Sequence, residues 1–318
     1  MAANCFHYQT FNYSGTTLLT GIRQIKDGDN FYISGVDQSD QQSRGLLYKG
    51  RLNGDGQWYV LMYPSAPGRT VTNTSLYGPN NGFDGVQLVG NYTTAETGSM
   101  ALGCLYQGPP DGSGKWTTLI PSSAEPVINT IAHSTMGGLV VGNFDTNLAT
   151  GKGFVYDIET GRYHKIKYPG ATSLTIYGIW HNGKQSYTIC GGLTLQNQVY
   201  GYVANLDRKN WVISKFQRYS YNNNPGIEVT HFDGITSDGR GGYNLTGDWS
   251  KGAFFARLPV GKSRACWQSV AFPGQIKTSG NSVCLDVVIG IYISPEKQIN
   301  GYICYCHGMR HKRSPLKS

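Results

Sequence analysis

The chain has 318 residues, of which 43 are Gly and 22 Tyr, and only 14% are charged, against a usual share of ~25%. That profile suits an all-β protein with many tight turns and excludes a helical bundle or coiled coil, while 12% aromatic content is too much buriable apolar area for a disordered chain. The net charge of +8 is not a nucleic-acid footprint: Arg310, Lys312, Arg313 and Lys317 supply half of it from the last nine residues, and the body shows no basic stripe.

In chain order, the first element is the aromatic stretch Phe6-His7-Tyr8-Gln9-Thr10-Phe11-Asn12. A four-element unit then begins: a strand over 16–23, the triplet Ile33-Ser34-Gly35, the run Gly45-Leu46-Leu47-Tyr48 and a strand over 58–64. The second unit reads 70–77, Leu88-Val89-Gly90, Gly103-Cys104-Leu105-Tyr106 and 116–121. The third reads 127–133, Val140-Val141-Gly142, Gly153-Phe154-Val155-Tyr156 and 163–169, and the fourth 173–180, Ile189-Cys190-Gly191, Gly201-Tyr202-Val203-Ala204 and 211–217. The fifth reads 227–235, Leu245-Thr246-Gly247, Ala253-Phe254-Phe255-Ala256 and 267–273. The sixth has 277–286, Val288-Ile289-Gly290 and Gly301-Tyr302-Ile303-Cys304, and stops without a fourth strand.

Glycines of the triplets lie 55, 52, 49, 56 and 43 residues apart, a period of propeller size. Turn chemistry such as Asn53-Gly54-Asp55-Gly56 and Asp111-Gly112-Ser113-Gly114 joins the strands. The missing last strand is found at the other end of the chain, where 6–12 aligns with 58–64. These features predict a six-bladed β-propeller of four-stranded blades, its ring closed by the N-terminal strand so that no blade edge stays open. The predicted domain spans 1–306 and is followed by the basic tail, 307–318. Placing Phe6 opposite Cys304 brings Cys5 near Cys304 and Cys306, within bridging range. No apolar run approaches the ~18 residues of a membrane helix, and the first residues have neither the basic nor the apolar region of a leader, so a cytoplasmic or mature secreted form is expected.

A propeller offers one shared site where its inner strands converge. Aligning the units puts Thr20, Tyr77, His133, Tyr177, Asp233 and Leu285 at equivalent inner positions, with Arg23, Trp180, His181, His231 and Asp286 within three residues. These types differ from unit to unit, which favours one composite site over six repeated sugar sites. Polar residues facing a water-filled channel need no catalytic role, so the set is better evidence than any member. Nucleophile elbow, Walker loop and dinucleotide fingerprint are all missing. No Cys/His cluster has zinc spacing, and neither cofactor nor metal is expected. A glycosidase or lyase would draw on Asp145, Asp233 and Asp286 for its carboxylates. A non-catalytic lectin-like or small-ligand-binding propeller is the other reading.

The segment over 130–145 and the stretch Thr74-Ser75-Leu76-Tyr77-Gly78-Pro79 resemble fungal propellers of secondary metabolism, the hetero-Diels–Alderases of tropolonic sesquiterpene pathways. That resemblance implies a cofactor-independent enzyme acting on a hydroxymethyl tropolone and humulene: loss of water gives a quinone methide, which the alkene traps to form a dihydropyran. Such a reaction needs an apolar pocket for two partners and donors that assist dehydration. In that role His133, Tyr77 and Tyr177 would donate or shuttle protons, Asp233 would orient a His or Tyr, and Trp180 and Tyr177 would stack on the flat ring. His181, Arg23, His231 and Asp286 would complete the binding surface. Its partners would be an apolar terpene and a polar aromatic, with no nucleic acid and no membrane span.

Overall fold

The computed structural model describes residues 5–26, 28–82, 84–224 and 226–307. Strand β1 (Cys5–Thr10) is followed by a meander of β2 (Thr17–Gln24), β3 (Phe31–Asp37), β4 (Arg44–Gly50) and β5 (Gln57–Leu61). The next is β6 (Val71–Gly82), β7 (Gly85–Thr94), β8 (Leu102–Gly108) and β9 (Lys115–Leu119). Then come β10 (Val127–Met136), β11 (Leu139–Thr146), β12 (Lys152–Asp157) and β13 (Arg162–Lys165), and β14 (Ala171–His181), β15 (Ser186–Leu195), β16 (Gln198–Asp207) and β17 (Val212–Tyr219). Last are β18 (Val229–Ser237), β19 (Tyr243–Trp249), β20 (Gly252–Leu258) and β21 (Cys266–Val270), then β22 (Lys277–Cys284), β23 (Val287–Ile293) and β24 (Ile299–His307). The architecture is an all-β propeller. No helix among the described residues is long and apolar enough to cross a membrane.

The sheets differ from the expectation of six separate blades. Four are four-stranded, and β10–β17 form one eight-stranded sheet. A single parallel pair, Lys152 with Leu174, joins its two halves. The physical reason is one backbone bond at the junction: Leu174 N–H donates to the Gly151 carbonyl at 2.8 Å.

Strand β1 lies antiparallel beside β24 in the sheet β1-β24-β23-β22. Its register corrects the sequence alignment by two residues, with Phe6 opposite Cys306 and Tyr8 opposite Cys304. A two-residue shift preserves which side chains face inward. The shift is pinned just beyond the strand, where Phe11 N–H donates to the Gly301 carbonyl at 2.9 Å and Asn12 accepts from Gly301 N–H at 2.8 Å. Cys304 and Cys306 are free thiols with sulfurs 3.9 Å apart. The Cys5 side chain, and with it any bridge that this pairing would allow, lies outside the described residues, as does the tail over 308–318. Residue 307, assigned to the tail, ends β24.

Each glycine of the repeated triplets sits where the inner strand crowds its neighbour. A Cβ at Gly90 would lie 1.9 Å from the Ser75 carbonyl oxygen, and at Gly142 2.1 Å from that of Ile131. At Gly191, Gly247 and Gly290 the matching distances to Thr175, His231 and Ser279 are 2.0, 2.2 and 1.9 Å, and at Gly35 it is 2.6 Å to Leu18. No other residue type fits those distances. Gly90→Ala is therefore expected to cost more than the ~1–3 kcal/mol of ordinary overpacking, read as a large fall in thermal midpoint or loss of soluble protein. An unchanged midpoint would contradict this account of the repeat. Phe11 is 5% exposed and packs edge-on against Tyr48 at 5.0 Å between ring centroids. Phe11→Ala is expected to lower stability in urea by ~3–5 kcal/mol, and a change below ~1 kcal/mol would mean that the segment after β1 does not help hold the ring shut.

Candidate functional site

The six innermost strands all carry a bulge. Register slips between Leu19 and Gly21, Leu76 and Pro79, and Ala132 and Ser134, and again between Ile176 and Gly178, Phe232 and Gly234, and Gly280 and Ser282. An extra residue in one strand is left out of the ladder and its side chain is re-aimed. The residues so placed include Thr20, Tyr77, His133, Tyr177, Asp233 and Asn281. Five of these six match the sequence alignment. The sixth is corrected: Leu285 sits in the turn after β22, 45% exposed with φ 56°, and Asn281 holds the equivalent place.

Thr20, Tyr77, His133, Tyr177 and Asp233 line one central cavity together with Arg23 and Ser282. Asn281 turns aside and donates its amide to the Leu19 carbonyl at 2.7 Å. The residue after each bulge is Gly or Ser: Gly21, Gly78, Ser134, Gly178, Gly234 and Ser282. Small residues are needed because neighbouring inner strands nearly touch; a Cβ at Gly21 would lie 1.9 Å from the Tyr77 carbonyl oxygen, and one at Gly78 2.6 Å from that of His133. The result is a narrow cavity. Only ≈ 20 Å³ of it is open to the centre of a water molecule, room for one or two waters. The spacious apolar pocket expected from the sequence is not what the strands build here.

A run of rings leads from the cavity in chain order, and its last member, His231, is not among the lining residues. Tyr77 meets His133 edge-on at 5.4 Å, His133 meets Tyr177 at 4.1 Å, and Tyr177 stacks on His231 at 4.3 Å. His231 Nε2 then contacts Asp233 Oδ1 at 2.8 Å. His133 Nε2 lies 2.7 Å from Asn143 Oδ1. As the amide is oriented, its oxygen only accepts, so Nε2 carries the hydrogen and Nδ1 is left as an acceptor.

Enclosure sets the protonation states. These side chains are half-buried, and the cavity they border holds only one or two waters. Burial raises the Asp233 carboxyl to about 6 even though His231 pulls the other way. Burial also raises Asp248, against donors from Ser279 and Gly280. The same desolvation pushes His133 down to about 3, opposed by its bond to Asn143, and raises the phenols of Tyr77 and Tyr177. At neutral pH the cavity therefore holds a neutral imidazole and two neutral phenols beside an ionised Asp233.

Other expected residues lie elsewhere. Trp180 does not line the cavity but faces the Arg23 guanidinium at 5.3 Å. His181 has Nε2 3.0 Å from the Lys184 carbonyl at the β14–β15 turn. Asp286, in the β22–β23 turn, is not a lining residue, and its carbonyl accepts from Cys306 N–H at 2.8 Å. Asp145 accepts from Gly151 N–H at 2.8 Å and holds a loop. Trp180 and His181 lie beyond the bulge of β14 and Asp286 beyond the end of β22, whereas Asp145 stands on β11, outside the inner strands. Asn91, Asn143 and Asp248 were missed. Their signal is a polar residue directly after a repeat glycine, where the other units have Val36, Gly192 and Ile291.

No family model matches the chain, and no curated protein matches it. Among solved structures it is similar to a luciferin-regenerating enzyme, with a TM-score of 0.58 and 10% identity over 96% of both chains. It also matches a puromycin hydrolase, with a TM-score of 0.40 and 11% identity over 96% of this chain and 55% of that one, and a glycoside hydrolase at 0.44 and 8% over 96% and 92%. At such identities the likeness to the first is one of fold alone, and the other two carry no further weight.

Two pH effects of opposite sign follow. Unfolded aspartate titrates near ~3.9, whereas folded Asp233 keeps its proton to about 6. The folded state thus binds the extra proton in that window, and stability falls as pH rises through it. Unfolded histidine protonates near ~6.5 and folded His133 only near 3, so its contribution is lost as pH falls from ~6.5. Calorimetry from pH 4 to 7.5 is expected to show Asp233→Asn gaining on wild type as pH rises and His133→Gln gaining as pH falls. Parallel curves for wild type and variants would refute both assignments.

Proposed function

We propose that the chain is a single-site enzyme performing general acid–base chemistry on a small polar group, in a reaction that adds or removes water. The observation that carries this reading is the 2.8 Å contact of His231 with Asp233, which itself lines a cavity sized for about one or two waters. Asp233, ionised above a pKa of about 6, is placed to take a proton from water or substrate near neutral pH. His231 orients it, and the neutral phenol of Tyr177, stacked on His231, is a donor for a departing or developing oxygen anion. Lyase and hydrolase chemistry both fit this scheme. The unequal side chains at the six bulges favour it over a repeated sugar-binding surface.

The hetero-Diels–Alder reading stands second. The ring sequence Tyr77, His133, Tyr177, His231 offers flat aromatic faces and dehydration donors, which supports the loss of water that forms a quinone methide. Against it, the cavity has no room for humulene, so cycloaddition would take place outside the bulge layer. We also read the ring as six-bladed and as one domain over 1–306, counting the eight-stranded sheet as two blades. Two observations support that count. Single backbone bonds like the one joining its halves also link other neighbours, from Thr74 to Ser43 at 2.9 Å and from Thr130 to Ala101 at 2.8 Å. Each half also has its own inner strand with a bulge.

The test is turnover of a panel of lactones, aryl esters and aryl glycosides, and of a hydroxymethyl tropolone with and without humulene. Wild type is expected to turn over at least one member, with kcat/KM rising with pH through about 6, the titration of Asp233. Asp233→Asn and Tyr177→Phe, checked for folding by circular dichroism, are expected to lose ~10²–10⁴-fold. A panel left untouched by wild type, or variants as active as wild type, would remove the acid–base reading. Dihydropyran formed at the same rate and product ratio without protein would remove the cycloaddition.

A further inference from the structure

Arg23 stands on β2 three residues beyond the bulged Thr20. The residue lines the central cavity and is 8% exposed. Nε and Nη1 are enclosed without a hydrogen-bond partner among the described residues. No ion pair reaches it among those residues, although Arg208 meets Asp157 and Glu159 at 2.9 and 2.8 Å and Arg44 meets Asp37 at 2.5 Å. The titratable group acting on it is the Cys284 thiol, which burial keeps protonated. Its guanidinium lies 5.3 Å from the Trp180 ring. β2 and β14 are three apart in the order of the inner strands, so the contact reaches over to the opposite side of the ring.

A cation–π contact engages the face of a guanidinium and leaves its in-plane donors unused. Arginine stays charged even where burial lowers its pKa. A buried charge without a counter-charge is among the most costly arrangements a fold can hold, and a planar fork of N–H donors matches the oxygens of a carboxylate or phosphate. Arg23 lines the same cavity as Asp233 and Tyr177.

We infer that Arg23 is an oxyanion-recognition site, and that the ligand of this channel carries a carboxylate or phosphate-type head which seats against it. This deepens the acid–base reading by naming the substrate class, and it rests on that reading for the reaction but not for the binding. The anionic head is the selective handle: Arg23 fixes one end of the substrate while Asp233, oriented by His231, acts on the group beside it. A neutral sugar or hydrocarbon makes no use of Arg23.

Formate and inorganic phosphate, titrated at constant pH and ionic strength into the full chain, test this. The readouts are tryptophan fluorescence and the thermal midpoint, with Trp180→Phe identifying the part of the signal that arises beside Arg23. Wild type is expected to give a saturable fluorescence change and a rising midpoint with at least one anion. Arg23→Met is expected to bind ~10–100-fold more weakly, and Arg23→Lys to fall between. Should Arg23→Met fail to fold, the Lys variant decides alone: weakened binding supports the site, and undiminished binding overturns it. Wild type that responds to neither anion, or Arg23→Met that responds as wild type does, also overturns it. A response to formate alone assigns a carboxylate head, and one to phosphate alone a phosphate head. Anion binding requires no turnover, so its absence leaves the acid–base reading standing. Conversely, an inactive Asp233→Asn that still binds formate leaves the Arg23 site standing.

Discussion

The structure depends on a close approach repeated in every unit, between a carbonyl of the inner strand and a glycine of the next strand out. The inner strand bulges at one residue, and the residue before the bulge pairs with that glycine, as Leu76 does with Gly90 and Ile176 with Gly191. Any side chain there would drive the bulged strand away from its sheet. With glycine in place, the bulge is held tight and the extra side chain has one direction left, toward the axis. A second small residue just after the bulge then lets neighbouring inner strands meet. Fold and site thus arise from the same steric device.

The electrostatics follow from that tightness. Bulges packed this closely leave a cavity of only ≈ 20 Å³ for water, so charge inside it is poorly solvated. Burial therefore acts in opposite directions on acids and bases: Asp233 rises to about 6 and His133 falls to about 3. Groups whose protonation is forced apart in one enclosure are a recurring mark of acid–base sites. Arg23 is the counterweight, a fixed positive charge near the end of β2, facing an indole instead of a carboxylate.

Much of this was legible in the chain. The triplets ending in Gly35, Gly90, Gly142, Gly191, Gly247 and Gly290 mark the second strand of each unit, because the steric demand at that position admits no other residue. Five of the bulged residues, Thr20, Tyr77, His133, Tyr177 and Asp233, are legible by aligning units, and the small residue that follows each, Gly or Ser, is a further signal. The sixth was misplaced because Gly280-Asn281-Ser282 lacks the aliphatic or aromatic residue that marks most of the others. The return of β1 to β24 was legible from a missing strand, but its register was not: aromatic matching is ambiguous by two residues, and only the bonds of Phe11 and Asn12 to Gly301 decide it.

Sequence alone determined that the chain is an all-β propeller of repeated meanders and which residues stand at five of its inner bulges, because local sterics and strand alternation repeat with the period of the fold. Tertiary structure alone decided that His231 touches Asp233, that Arg23 reaches Trp180, that Trp180, His181 and Asp286 stay outside the cavity, and that the cavity is narrow. Those facts depend on how far the inner strands stand from the axis and from one another. That distance is set jointly by all the units packing together, and no single unit encodes it.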